Sequence, residues 1–306
     1  YKPVCKIGEG TFSDVLKMLN LRDGKYYACK CMKQHFKSLP ICFFSDKKAG
    51  CLSLICELMD MNIYELIKGM WHMLQQTNSP CADYKVELIT LCSLLRVMKS
   101  IKWDISQRCE TRKHINKATP HVSGKSSLEY FSVSKFNMLY FLQQNTLKLA
   151  DFGSCRTIYS KQPYTEYIST RWYRAPECLL TNGYYSYQMD IWSAGCVFYE
   201  ITSFQPLFPG SNDLDQISKI HDVIGTPATK TLTKFKRSTI LSFHFPFQKG
   251  KGVPAPVHNL SAKGLALLYA MIQYDPDERI AACHALQHPY FQELWQVTSD
   301  HFNREH

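Results

Sequence analysis

Two glycines, a lysine and an aspartate are the residues of this chain whose types and spacing could handle a phosphorylated ligand. In Ile7-Gly8-Glu9-Gly10-Thr11-Phe12-Ser13-Asp14-Val15, the glycines leave backbone N–H groups open to phosphate oxygens with no side chain in the way. Val15 can cover a purine, and Lys30, fifteen residues further on in Tyr26-Tyr27-Ala28-Cys29-Lys30, can reach the α/β-phosphates. Asp151, in the stretch LKLADFGSC, offers a hard oxygen ligand of the kind a divalent metal takes. A lone Gly-x-Gly is more often an ordinary hairpin turn. The Ala-x-Lys at this distance favours the nucleotide reading.

These side chains need a sheet to hold them. Short runs rich in strand formers flank the glycine turn, and LRDGK supplies the Asp23-Gly24 turn of an antiparallel hairpin leading into 26–30. That setting differs from the strand-then-helix context of a dinucleotide site or a Walker loop. Cys51-Leu-Ser-Leu-Ile-Cys56 reads as a further strand. In residues 84–101, Leu88, Leu91, Cys92, Leu95 and Met98 recur with helical spacing and predict a long helix with one apolar side. After it comes the polar, basic run KWDISQRCETRKHINKATPHVSGKSSLE, which has no clear period.

The bulk numbers exclude several classes. With 306 residues, 45% apolar and 20% charged, the chain can bury ample core and is not a disordered polypeptide. No run approaches the roughly eighteen apolar residues of a membrane span, and YKPVCKIGEG lacks the layout of a secretory signal, so no membrane association is expected. The thirteen cysteines form no CxxC pair, as expected of reduced thiols in the cytoplasm or nucleus rather than a disulfide or zinc scaffold. The net charge of +10 is local: Tyr84 to Lys148 holds eleven Lys/Arg against four Asp/Glu. That distribution suits a solvated basic insertion better than a specific nucleic-acid surface.

Taken in order, the glycine turn, Ala28-x-Lys30, Asp151-Phe-Gly153, Ala175-Pro-Glu177, Asp190-Ile-Trp-Ser-Ala-Gly195, Leu207-Phe-Pro-Gly210, Asp275-Pro-Asp-Glu-Arg279 and His288-Pro-Tyr-Phe291 resemble the eukaryotic Ser/Thr protein kinases. The run TRWYRAPE, the triplet Thr165-Glu166-Tyr167 and the segment from Ile217 to Pro227 are similar to the group holding MAP kinases and cyclin-dependent kinases. The resemblance implies an α+β, bilobal protein-kinase-like fold: a small β-rich N-lobe over 1–60, a larger mainly α-helical C-lobe over 61–293 with an atypical insertion at about 102–129, and a tail over 294–306. It implies ATP and Mg2+ as cofactors, protein substrates or docking partners, and a monomer. By resemblance Ile7, Gly8, Gly10, Val15, Ala28 and Lys30 bind the nucleotide, with backbone groups of Glu57 and Met59 at the adenine. Asp151 and Asn137 would hold metal, Thr165 and Tyr167 would be phosphorylated, and Thr170 with Arg174 would shape a pocket for substrates with proline after the acceptor. Glu177, Asp190 and Arg279 would be structural, Arg279 pairing with Glu177 and Asp190 steadying the catalytic loop.

The departures fall in two windows. From Cys31 to Cys56 there is no Glu and Pro40 interrupts, so the helix whose glutamate would pair with Lys30 is expected to be missing. In the second window the family's spacing puts the catalytic loop at Tyr130 to Leu139, with Asn137 in place but Ser132 where the catalytic Asp belongs, Phe131 for an Arg and Ser134 for a Lys. A serine hydroxyl is not basic near neutral pH and cannot take the substrate proton as a carboxylate does. Two readings of 130–142 stay open, a degraded catalytic loop and a plain buried apolar segment. Two functions stay open as well: a Ser/Thr kinase, and a catalytically impaired pseudokinase that binds partners through its C-lobe.

Overall fold

A computed structural model describes residues 1–10, 13–33, 44–46, 51–62, 64–69, 72, 130–131, 137–141, 146–150, 156–157, 161–164, 170–236, 245–255 and 260–292. The chain divides into two compact units, Tyr1–Asn62 with Leu139–Leu142, and Ile63–Met138 with Gln143–His306.

The first unit is built on β1 (Lys2–Glu9), β2 (Ser13–Leu19), β3 (Tyr26–Met32), β4 (Phe44–Asp46) and β5 (Cys51–Glu57), in the sheet order β1-β2-β3-β5-β4. Every neighbouring pair in it is antiparallel. The hairpin joining β2 to β3 follows from its turn residues. Asn20 Oδ1 accepts from the Arg22 N–H at 3.0 Å, Asp23 Oδ1 from the Lys25 N–H at 2.9 Å, and Gly24 takes the left-handed φ of 69° that a side chain would oppose. Asp23 also accepts from the Tyr27 hydroxyl at 2.8 Å. Among the described residues of this unit there is no helix; the window assigned to a missing helix C lies mostly outside them. A short β6 (Met61–Asn62) pairs with β8 (Asn137–Phe141), Met61 against Tyr140 and Asn62 against Leu139.

In the second unit, β7 (Tyr130–Phe131) pairs with β10 (Arg156–Thr157), and β9 (Thr146–Ala150) leads up to Asp151. Residues 64–69 are helical. Further on, the chain is helical in α1 (Pro176–Leu180), α2 (Gln188–Ser203), α3 (Asp213–Ile224), α4 (Thr229–Lys236), α5 (Ala262–Met271) and α6 (Ala282–Ala285). Their starts are marked in the sequence: Pro176 opens α1, Asn212 Oδ1 caps α3 through the Asp215 N–H at 2.9 Å, and Ser261 Oγ caps α5 through the Gly264 N–H at 3.2 Å.

Helix α2 is the axis of the core. All of Met189–Ser203 is buried, the condition of a helix surrounded on every side rather than one with a single apolar stripe. Trp192 stacks on Phe208 at 5.4 Å between centroids, and Phe198 meets Tyr290 at 5.4 Å. Met189, Ile220, Leu267 and Phe291 complete the largest fully buried side chains. Gly195 lets α2 approach the end of α5, because a Cβ there would lie 2.8 Å from Ile272 Cγ2 and 3.1 Å from Met271 Cβ.

Candidate functional site

In the sheet, the ladder itself assembles the residues with phosphate chemistry. Gly8 lies opposite Val15, Val15 opposite Lys30, and Lys30 opposite Leu54, so four strands contribute to one cross-strand row. Residues opposite each other share a face, as do those two apart along a strand. Ala28 therefore joins Val15 and Lys30 one step along. Gly8 and Val15 are close enough that a Cβ on the glycine would touch Val15 Cβ at 3.6 Å. The turn closes with the Gly10 N–H donating to the Ser13 carbonyl at 2.8 Å. Ile7 falls where β1 shifts register between Lys6 and Gly8, and its side chain is exposed. Glu57 ends β5 opposite Tyr27, and Met59 follows on the way to β6.

Four charges brace this turn. Lys6 Nζ lies 2.7 Å from Glu9 Oε2 and 3.2 Å from Asp14 Oδ1; Lys33 Nζ lies 3.1 Å from Glu9 Oε1 and 3.3 Å from Asp14 Oδ1. Hydrogen bonds from Lys6 and then Lys33, with their charges, hold the Glu9 carboxyl down to about 2. Glu9 sits between Gly8 and Gly10, so the quartet ties the turn's tip to the end of β3. Neither lysine nor Asp14 was singled out by motif; their pairing depends on strand register.

In the second unit, the TRWYR segment is fastened to α2 and to the start of α3. Thr170 precedes a 3-10 turn at Arg171–Tyr173, and Arg174 follows it. Arg171 donates through Nε to Asp213 Oδ1 at 2.6 Å and through Nη1 to the Ser211 carbonyl at 3.0 Å, while Arg174 Nη1 lies 3.7 Å from the same Asp213 oxygen. Trp172 Nε1 donates to the Gly210 carbonyl at 3.0 Å. The Tyr173 hydroxyl donates to Glu200 Oε2 at 2.7 Å, and Ser193 Oγ donates to the Tyr173 carbonyl at 2.8 Å. Burial raises the Glu200 carboxyl above its ordinary range, with the Tyr173 hydrogen bond opposing. Asp213, Glu200 and Ser193 escaped sequence reasoning, for each lies twenty or more residues from its partner.

Glu177 and Arg279 meet in a closed ion pair. Arg279 Nη1 and Nη2 each donate to a Glu177 carboxylate oxygen at 2.6 Å. Its other N–H groups reach the carbonyls of Gln188 at 3.1 Å, Tyr274 at 3.2 Å and Gln273 at 2.8 Å. All five guanidinium donors are thus used. The guanidinium also lies 5.2 Å from the Trp192 ring centroid, and the paired side chains are 0% and 3% exposed. Asp190, in the first turn of α2, is buried, its Oδ1 has no hydrogen-bond partner among the described residues, and burial pushes its carboxyl well above the usual range. Asn137 begins β8. Ser132, Asp151, Thr165 and Tyr167, the predicted helix over 84–101, the insertion at 102–129 and the tail over 294–306 lie outside the described residues. Among the described residues no helix is long and apolar enough to cross a membrane.

Comparison with known proteins agrees with these motifs. A model of the protein kinase domain matches residues 93–291. The MAPK/MAK/MRK overlapping kinase of Mus musculus is 54% identical over 317 residues, covering 95% of this chain and 67% of the mouse protein. Its Homo sapiens counterpart is 53% identical over 318 residues, covering 96% of this chain and 68% of the human protein. The serine/threonine-protein kinase ICK of Mus musculus is 31% identical over 313 residues, covering 95% of this chain and 45% of that kinase. The antiparallel sheet, the helical unit and these matches together make the chain a member of the Ser/Thr protein kinase family.

Proposed function

We propose that this chain binds Mg-ATP on the Gly8–Val15–Lys30 face of its sheet and is impaired in passing the γ-phosphoryl group to protein serine or threonine. The observation that carries the reading is the cross-strand row, which sets a side-chain-free backbone, a branched apolar residue and an ammonium group side by side. The fit to a nucleotide is chemical. Gly8 and Gly10 put no side chain between the turn and a phosphate, although the Gly10 N–H is engaged by the Ser13 carbonyl; Val15 and Ala28 offer apolar surface to a purine, and Lys30 offers positive charge. Ile7 and the backbone at Glu57 and Met59 belong to the same proposal, with Asp151 and Asn137 as metal ligands.

When bound, Mg-ATP would supply the transferable phosphoryl group and the metal charge that stabilises it. The chain's own part in transfer would be to position the acceptor and remove its proton. Position 132 is where that proton acceptor belongs, and its serine hydroxyl is not basic near neutral pH. Loss of a positioned base costs on the order of 10²–10⁴-fold in rate.

A second reading, an active proline-directed kinase, is favoured by the ordered Thr170–Arg174 segment and its anchors on Glu200, Ser193 and Asp213. One preparation distinguishes the two. Mg-ATP is expected to raise the melting temperature of the protein, and Asp151→Asn to reduce that rise. Phosphate incorporation into a basic generic substrate is expected to be no greater for the native chain than for Asp151→Asn, and to become measurable in Ser132→Asp. Asp151-dependent incorporation by the native chain would establish the second reading. Absence of any Mg-ATP thermal shift would remove both.

A further inference from the structure

The strand that carries Lys30 also carries a close pair of thiols on its other face. Cys29 and Cys31 flank Lys30 in β3, and alternation along the strand turns both away from the Val15–Lys30 row. Their sulfurs are 3.6 Å apart. From β5, Ser53 stands opposite Cys31 in the ladder and donates its hydroxyl to Cys31 Sγ at 3.6 Å. Cys29 is 3% exposed and Cys31 is half-buried. Of the other sheet cysteines whose side chains are described, Cys56 is opposite Ala28 and Cys5 opposite Lys17, which places both on the lysine's face.

We propose that Cys29 and Cys31 are a modification site that a hydroperoxide converts to an intrastrand disulfide. Burial first, and then the hydrogen bond with Cys31, pushes the Cys29 thiol up to about 11. Cys29 therefore keeps its proton, and Cys31, the more open of the two, is the sulfur a hydroperoxide meets. Peroxide transfers one oxygen to Cys31 Sγ, giving a sulfenic acid and one water. Cys29 Sγ then attacks that sulfur, the S–S bond forms, the S–O bond breaks, and the leaving hydroxide departs as a second water with the Cys29 proton. Two thiols lose two electrons in total, and one peroxide is reduced to two waters.

Strand geometry explains why such a bond would be reversible and why it would reach Lys30. Same-face neighbours two residues apart on a strand are separated by about 6.6 Å of rise, the upper end of the 4.4–6.8 Å Cα range that disulfides span. Bringing the sulfurs to about 2.05 Å draws the two Cα atoms together and puckers the strand between them. Strained disulfides of this kind are the readily reduced ones. The residue at the pucker is Lys30. Its ladder position between Val15 and Leu54 is what the bond disturbs, so oxidation is expected to weaken nucleotide binding, a consequence that rests on the function proposed above.

The disulfide is tested by mass alone, independently of any nucleotide. The full chain is treated with a small excess of hydrogen peroxide, free thiols are alkylated, and the protein is digested without reduction. Trypsin cleaves after Lys25, Lys30 and Lys33, so the bond is read as a cross-link between peptides 26–30 and 31–33, lost on treatment with dithiothreitol. Both thiols remaining open to alkylation, stopping at singly oxidised sulfur, or linking instead to Cys51, Cys56 or another cysteine would overturn the proposal. If reduced protein shows a Mg-ATP thermal shift, peroxide is expected to abolish it, dithiothreitol to restore it, and Cys31→Ser to keep it in the presence of peroxide. If reduced protein shows no shift, the nucleotide reading fails while the cross-link still decides the thiol chemistry.

Discussion

The sheet unit and the helical unit hold themselves together by different means. Along β1 seven of eight residues are exposed, and among the sheet residues whose burial is described Ser13 and Cys29 are the buried ones. Along α2 fifteen of sixteen residues are buried. The sheet relies on its hydrogen-bond ladder and on ion pairs open to water, such as Lys6–Glu9, each worth little. The helical unit relies on close-packed aromatic and aliphatic side chains and on an ion pair sealed from solvent. Resistance to unfolding therefore belongs to the helices, while the tip of the sheet's glycine turn at Glu9 and Gly10 stands exposed to solvent. Amide exchange is expected to be slower in α2 than in β1–β3, since local stability follows buried apolar contact.

The largest expected loss comes from opening the sealed pair. Arg279→Ala strands the Glu177 carboxylate in the core, and breaking a buried pair from one side costs about 3–5 kcal/mol. The Trp192 ring also loses its cation. Melting followed by tryptophan fluorescence should fall by roughly 10 °C or more, and exchange in α2 should rise toward that of the sheet. If α2 stayed as protected as in the native chain, the pair would not be what separates the two units.

A second way to erode the helical unit is acid. His221 on α3 is buried between Phe245 and Tyr274, with its Nε2 3.2 Å from the Tyr274 hydroxyl. Burial holds the imidazole down to about 4, with the charge of Asp222 opposing. The unfolded chain takes that proton near 6.5, so more protons are bound unfolded than folded across this window. Stability is full above pH 6.5 and declines as pH falls toward 4, by on the order of 2–3 kcal/mol. Denaturant unfolding at pH 7 and pH 4.5 should show the decline, and His221→Gln should flatten it. An unchanged slope in the variant would assign the acid sensitivity to other groups.

Packing gives a smaller effect with two opposing contributions. Gly195→Ala gains up to about 1 kcal/mol of helix propensity. Its new methyl, however, meets Ile272 Cγ2, on the β-branch of a buried side chain, and Met271 Cβ, which is fixed to its backbone. Overpacking of this kind costs roughly 1–3 kcal/mol, so a net loss of about 1 kcal/mol is expected by denaturant unfolding. A gain in stability would mean that α2 and α5 separate more easily than their contact implies.

Legibility in the sequence followed how locally each feature is encoded. The hairpin at Asp23-Gly24 and the strand at 51–56 are written in consecutive residues, and the structure has turn and strand there. The motifs in series were enough to point to the kinase family. Strand register is not written that way. That Cys29 and Cys31 share one face of β3 while Lys30 takes the other needed only the period of two, but that Val15, Ser53 and Leu54 stand opposite them depends on where β2 and β5 pair. The anchors of the 170–174 segment were hidden for the same reason. Asp213 binds Arg171 across 42 residues, and Glu200 binds Tyr173 across 27. Nothing in the local text around Asp213 separates a helix-start carboxylate from an arginine clamp.

The smallest expected effect lies at the glycine turn and sharpens the contrast from the sheet's side. Glu9 joins Lys6 and Lys33 at the solvent-exposed surface, so its interactions are screened by salt and their thermal signature should be smaller than any above. The charge alternation should show in titration instead. The Glu9 carboxyl, held down to about 2 mainly by its hydrogen bond from Lys6, loses its proton at lower pH folded than unfolded. Its stabilising contribution is complete above the ordinary carboxyl value near 4.5 and fades as pH falls toward 2. Carboxyl NMR of the native chain should find Glu9 titrating well below the other glutamates at low salt and drifting upward as salt is added. Lys6→Ala should move it most and Lys33→Ala less, with little change in melting temperature. A Glu9 that titrates like an isolated glutamate would mean the turn is untethered, and the quartet could not be what sets the position of Gly8 and Gly10.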